Sequence, residues 1–216
     1  MKTATHRQRR PAEHGGALME FVICVGLLWL PIFLGAVQFG LNLIQSIQVT
    51  QVCRDSGHMY AYGINFSQSS NQYLLASFSP MLNIDPTGAG GSSVVILSTV
   101  QYVTAAQCVA GGYTSTCPNY GLLVFTNQQI IGNSGLHASL FGTPTTDAYG
   151  NVAQGTPTTA GYLNQSSALV ANYPSISLSS GSTGQQYGYI SELYSQNLGL
   201  KWLYPGGGWT TSINYF

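Results

Sequence analysis

The sequence has little charge. Lys, Arg, Asp and Glu make up 6% of 216 residues, against about 25% in typical soluble proteins, and the formal net charge is zero. Basic residues are scarcest: beyond residue 15 only Arg54 and Lys201 remain, set against Glu20, Asp55, Asp85, Asp147 and Glu192. No nucleic-acid partner is expected, because neutralising a phosphate backbone takes a patch of cations that this composition cannot supply. Dense charge and heptads are missing too, which removes coiled coils and acidic disordered tails. Constellations that carry chemistry are equally sparse. Gly132-Asn133-Ser134-Gly135-Leu136 lacks the glycine spacing of a nucleophile elbow, and His137 beside it has no evident partner pair. Gly88 to Gly91 fits neither G-x-G-x-x-G nor a P-loop with its Lys. His6, His14, His58 and His137 are scattered without metal-ligand spacing, and Asn83 with Asp85 offers too few oxygens for calcium. The expectation is a protein that is not an enzyme, with no catalytic residue, no cofactor and no metal.

What the chain does have is apolar length. Its 23.0 kDa suffice for one domain plus a tail, and 44% of its residues are hydrophobic. From Phe21 to Ile44 no charge occurs and only Gln38 and Asn42 are strongly polar, which is long enough for the roughly 20 residues that a bilayer requires. A buried core helix would show a polar stripe over such a length. A cleaved signal peptide would have an apolar region of about 7–15 residues followed by a small-residue site, whereas Gly35-Ala36 sits inside the run. The segment therefore reads as a single membrane span. Lys2, Arg7, Arg9 and Arg10 precede it, while Arg54 with adjacent Asp55 follows. The positive-inside rule then keeps the N-terminus cytoplasmic and exports the rest. Pro31, lacking an N–H, predicts a kink or loosened turn in mid-span. Past Leu43 the pattern turns amphipathic, Ile44 and Ile47 giving way to Gln51, Arg54 and Asp55, so a continuous helix from Ala17 to about Gly57, roughly 60 Å long, protrudes from the membrane.

Glu20 stands at the start of this run. An unpaired charge in lipid costs a few kcal/mol on insertion scales, so the carboxylate is either hydrated at the interface near a helix N-terminus or met by a cation delivered to the same depth. Cutting the chain between Gly15 and Gly16 would create such a cation, an α-amino group four residues before Glu20, which a neighbouring helix shifted along the axis could present. Helices staggered in this way form a filament.

The string His14-Gly15-Gly16-Ala17-Leu18-Met19-Glu20-Phe21, the short basic leader, the uninterrupted apolar segment and the Val52–Gly63 stretch VCRDSGHMYAYG resemble the TadE-like family, minor pilins or pseudopilins of the tight-adherence (Tad/Flp) type IV pilus. The resemblance covers about residues 1–66. It implies a leader (1–15) removed by a prepilin peptidase after Gly15, a mature N-terminus at Gly16, an assembly pair Glu20 and Phe21, a pilin-like membrane helix (16–63) and an exported domain (64–216). It further implies partners: other pilin subunits, an inner-membrane assembly platform, the peptidase and membrane lipid. The implied location is a bacterial inner membrane, crossed once with the C-terminal domain in the periplasm, and a pilus or cell surface after assembly. Ser56-Gly57-His58 stands where the family often has a small residue followed by Arg. The rival reading is an adhesin or carbohydrate-binding module on an uncleaved anchor, motivated by the Tyr-rich body and Thr-rich arm.

In the exported part, residues 67–82 are expected to form a short helix whose sticky face is Tyr73, Leu74, Phe78 and Leu82, followed by a flexible loop from Asp85 to Ser93. Val94–Val103, Tyr120–Ile131 and Tyr187–Tyr194 are rich in β-branched and aromatic residues and read as strands. Cys108 and Cys117 bracket a loop between the first two and should pair as a disulfide in an oxidising compartment. The alternative, a zinc pair, lacks a suitably spaced His or second Cys pair. Cys53 is free or pairs between subunits. GTPTT occurs twice, at Gly142–Thr146 and Gly155–Thr159, suggesting a solvated arm with turn chemistry at Asp147–Asn151. Aromatics in the C-terminal Lys201–Phe216 stretch are expected to close the core. The predicted fold class is α+β: a long N-terminal transmembrane α-helix followed by a small antiparallel β-sheet domain with a short helix and long loops.

Overall fold

Pro31 leaves its mark one turn upstream. In the computed structural model, which describes residues 14–152, 161–173, 187–197 and 208–216, α1 (His14–Cys24) passes through a π-helical turn (Val25–Trp29) into α2 (Leu30–Ala61). The Leu30 N–H reaches back five residues to the Val25 carbonyl. The widened turn adjoins the place where the proline ring crowds the carbonyl of Leu27 and offers it no N–H. This is the loosened turn predicted for Pro31. The rod ends in a Schellman motif: Gly63, at φ 85°, donates to the Tyr60 carbonyl and Ile64 to that of Met59, a left-handed position that suits glycine.

Downstream come α3 (Ser69–Ser77), a 3₁₀ turn (Pro80–Leu82), β1 (Ser93–Tyr102), α4 (Ala105–Ala110), β2 (Leu123–Gly132), β3 (Tyr187–Gln196) and β4 (Trp209–Tyr215). The strands form one antiparallel sheet in the order β2-β1-β3-β4, so the predicted α+β class holds. The three predicted strands are β1, β2 and β3. β4 is an unpredicted addition, an edge strand whose Thr, Ser and Asn give no strong alternation. It lies in the stretch whose aromatics were expected to close the core.

Alternation along β3 assigns the faces. Ser191, Leu193 and Ser195 meet α2, while Ile190, Glu192 and Tyr194 turn to the loops after β2. On the helix side Val49, Val52 and Cys53 pack with Val95, Leu97, Ile131 and Leu193. The helix therefore completes the core of the sheet. On the other side Val100, Phe125, Phe141, Leu163 and Ile190 form a second cluster with the Cys108–Cys117 pair.

Two expectations need correction. The helix expected over 67–82 stops at Ser77, because Pro80 cannot continue it, and its face differs: Leu75 is buried with Leu82, whereas Tyr73, Leu74 and Phe78 are exposed. The first GTPTT copy also does more than trail in solvent. Its Asp147 turn forms as predicted, with Tyr149 and Asn151 N–H groups on Asp147 Oδ1 at 2.8 and 2.9 Å, but the arm leans on β2 through Gln128 N–H to Gly150 O and buries Val152. Residues 1–13 of the leader, the second GTPTT copy and Lys201–Gly207 lie outside the described residues.

Candidate functional site

The apolar helix divides into a bare part and a seated part. Gly16–Ala61 runs 46 residues with a mean hydropathy of 2.3 in its most apolar window, none of which the protein buries. By length and composition it is able to cross a membrane, and one such helix fits single-pass anchoring. Glu20 and Phe21 are exposed on α1, and Glu20 is the only charged side chain between residues 16 and 44. Gly16 and Glu20 are one helical turn apart, hence on the same side of the rod and about 6 Å apart along its axis. Open space surrounds Gly16. Within residues 16–44 the chain holds no Lys or Arg that could meet the carboxylate.

The seat begins at Gln45. Its side-chain amide is fully buried and donates to Ser195 Oγ at 2.9 Å and to the Gln196 carbonyl at 2.7 Å, which offsets the cost of burying a polar group. Two and three turns further on, small residues let the rod approach the strands closely. Cys53 Sγ lies 3.2 Å from the carbonyl oxygens of both Ser191 and Ser212, and Ser191 Oγ donates to the Cys53 carbonyl at 2.7 Å. Ser56 and Ser191 hydroxyls are 3.2 Å apart. A Cβ on Gly57 would stand 2.2 Å from Phe216 Cε2 and 2.9 Å from Ser191 Cβ, so no larger residue fits there without displacing the C-terminal ring. Phe216 in turn packs against His58, ring centroids 4.4 Å apart. At the top of the seat Tyr60 donates to Asn127 Oδ1 at 2.8 Å and accepts from Thr99 Oγ1 at 2.9 Å. Burial pushes its hydroxyl up to about 12, against a smaller opposite pull from the Thr99 hydrogen bond.

Residues 15–57 match the family model of TadE-like proteins. Over these residues the N-terminal helix is similar to that of TadE-like proteins. The match takes in Gly15, Gly16, Glu20, Phe21 and the seat from Gln45 to Gly57, the glycine packed against Ser191 and Phe216. Residues 58–216 lie outside it. No curated protein and no solved structure matches the chain.

Of the predicted cysteine sites, the Cys108–Cys117 pair lies outside the matched residues and Cys53 within them. Cys108 and Cys117 form the expected disulfide, with Cα atoms 5.3 Å apart, which ties α4, a helix started by a Thr104–Gln107 capping box, to the loop that follows it. Cys53 is free and buried, which leaves no surface for a bond to another subunit. Sequence reasoning missed the environment of Glu192. This fully buried carboxylate accepts from Ser139 Oγ, from the Leu140 N–H at 2.9 Å and from the Tyr194 hydroxyl at 2.6 Å. Burial, then the hydrogen bond to Glu192, raises the Tyr194 hydroxyl's affinity for its proton, and His137 stacks on its ring at 3.8 Å. A lone acid on the Ile190–Tyr194 face of an otherwise uncharged strand was the available signal. Near Tyr60 a cleft of about 380 Å³ is lined by Tyr149, Tyr189, Asn127 and Asn151 among others. Its amides are engaged with one another, Asn127 Nδ2 donating to the Tyr149 carbonyl and to Asn151 Oδ1.

Proposed function

We propose that this protein is a structural, non-enzymatic minor pilin or pseudopilin associated with a Tad-type pilus. A prepilin peptidase removes residues 1–15, the chain then starts at Gly16, and the domain 64–216 lies on the periplasmic side of an inner membrane that the helix crosses with its N-terminus cytoplasmic. The observation that carries this reading is one carboxylate, Glu20, a single turn from the prospective new amine on an exposed helix with no other charge through residue 44. In lipid such a carboxylate costs a few kcal/mol unless a cation meets it. The α-amino group of a neighbouring, axially shifted subunit supplies that cation, with Phe21 packing beside it. Pilin helices, the assembly platform and membrane lipid are the partners.

The test has two parts. N-terminal mass spectrometry of protein from its own cells should find a chain beginning at Gly16; one beginning near Met1 would favour the rival, an adhesin or carbohydrate-binding module on an uncleaved anchor, to which the Tyr-lined cleft would belong. Glu20→Ala should remain inserted and processed while its recovery in sheared pili drops about tenfold or more, the scale set by losing one ion pair at low dielectric. Normal recovery of that variant removes the proposed role of Glu20.

A further inference from the structure

The two-stage helix brings a second apolar element to the level at which the rod leaves its bare part. α3 starts near the top of the seat, where Gln72 Nε2 donates to the Phe66 carbonyl at 2.7 Å and the Phe66 ring lies 6.5 Å from that of Tyr60. It then returns along α2: Leu75 joins the core that holds Val49 and Val52, Ser79 Oγ donates to Gln48 Oε1 at 2.8 Å, and Gln48 Nε2 donates to Met81 Sδ at 3.5 Å. From Tyr60 to Gln48 this is a descent of about 18 Å along the rod. Gln48 is four residues, about 6 Å, past Ile44, within the roughly 5–7 Å that a headgroup layer adds to each side of the hydrocarbon.

The outward side chains at this level are apolar. Phe78 is 46% exposed and Met81 37%, with Ile44 at 46% and Ile47 at 57% on the helix at this level. Residues 64–84 contain no charged side chain, so nothing there demands bulk water or selects an anionic lipid. Met81 meets the rod at Gln48, one turn past Ile44, and the domain begins at Gln45 without any spacer that would lift it away.

We propose that the Phe78–Met81 turn, just past the C-terminal end of α3, rests in the headgroup layer of the membrane that the helix crosses, making a second, uncharged lipid contact before assembly. A single rod leaves a domain free to swivel and tip. A second contact on one side of it holds the sheet at a set tilt. The occupant is a lipid surface of zwitterionic character, and the contact is indifferent to salt.

The inference rests on the membrane-spanning reading of the helix, and the experiment separates the two. The full chain is reconstituted into phosphatidylcholine vesicles containing a lipid with a diazirine at the top of one acyl chain, irradiated, and its labelled peptides are mapped by mass spectrometry. Adducts in both 21–44 and 78–81 are expected, unchanged by added salt or by anionic lipid. Phe78→Ser with Met81→Ser should lower labelling of 78–81 by about tenfold, the scale of removing two partly buried apolar side chains from lipid, while labelling of 21–44 stays constant. Labelling of 21–44 alone overturns the inference and leaves the span intact; labelling of neither overturns the span itself. Adducts at this turn that require anionic lipid, or cross-links from it to a second copy in place of lipid, also overturn the inference.

Discussion

Residues 16–44 and 45–61 belong to one rod and obey opposite packing rules. Below Gln45 the side chains are large, apolar and turned outward, and the glycines at 26, 35 and 40 face open space. From Gln45 on, the contact face sets Gln45, Cys53, Ser56 and Gly57, small or polar residues, beside Val49 and Val52, and all six are buried. The longest apolar run of this helix is therefore the part that the protein does not bury, whereas the buried face of the upper part joins two valines to polar and small residues. A bilayer accounts for the difference: lipid takes over burial of the lower segment, while the upper segment needs close backbone approach and hydrogen bonds.

Substitution at glycine should break the contrast most directly. Gly57→Val puts atoms where Phe216 and Ser191 already stand, and is expected to destabilise the folded domain by about 3 kcal/mol or more, read as a lowered thermal midpoint of the full chain in detergent. Gly40→Val, in open space, should leave that midpoint within about 1 kcal/mol of its original value. Equal effects at the two positions would erase the division between seat and bare rod.

A smaller effect sharpens it on α3. Leu75→Ala removes a fully buried side chain from the core shared with Val49 and Val52, costing about 2–4 kcal/mol, whereas Leu74→Ala on the outer face should cost about 0.5 kcal/mol or less in detergent. Denaturant midpoints of the two variants decide the matter. The smallest effect expected is electrostatic. Tyr60 has a folded-state value near 12 against an ordinary 10.0, so its neutral phenol contributes fully below about pH 10. That contribution is lost as pH rises towards about 12, because the unfolded chain ionises first. Alkaline destabilisation over this window should be about 1–2 kcal/mol weaker in Tyr60→Phe.

Features whose cause is local were legible from residues alone. The span needs only an uncharged run of sufficient length, and Phe21–Ile44 provides it. β1 and β2 are dense in Val, Ile and Leu; Cys108 and Cys117 lie close in sequence; Pro31 announces a disturbed turn. Features whose cause is a distant partner were not. Nothing near Leu75 distinguishes it from Leu74, since the choice between them is made by Val49 and Val52. Cys53, Ser56 and Gly57 look like an ordinary polar helix exit until Ser191, Ser212 and Phe216, more than 130 residues away by number, come to rest on them. Glu192 likewise has its three hydrogen-bond donors from Ser139, Leu140 and Tyr194, two of which no pattern around β3 could indicate. Of the candidate site, the acid, its aromatic neighbour and the prospective cleavage point were readable. The seat that orients them was not.

The widened turn at Val25–Trp29 has a consequence for direction. Successive residues of an α-helix advance by about 100° around the axis, and a turn closed by a bond from Leu30 to Val25 takes up one residue more than an α-turn does. The compass bearing of Glu20 relative to the sheet thus differs by about 100° from that in an unbroken α-helix. Under the proposed pairing of Glu20 with a neighbour's amine, this turn sets the side of the rod from which that neighbour must approach.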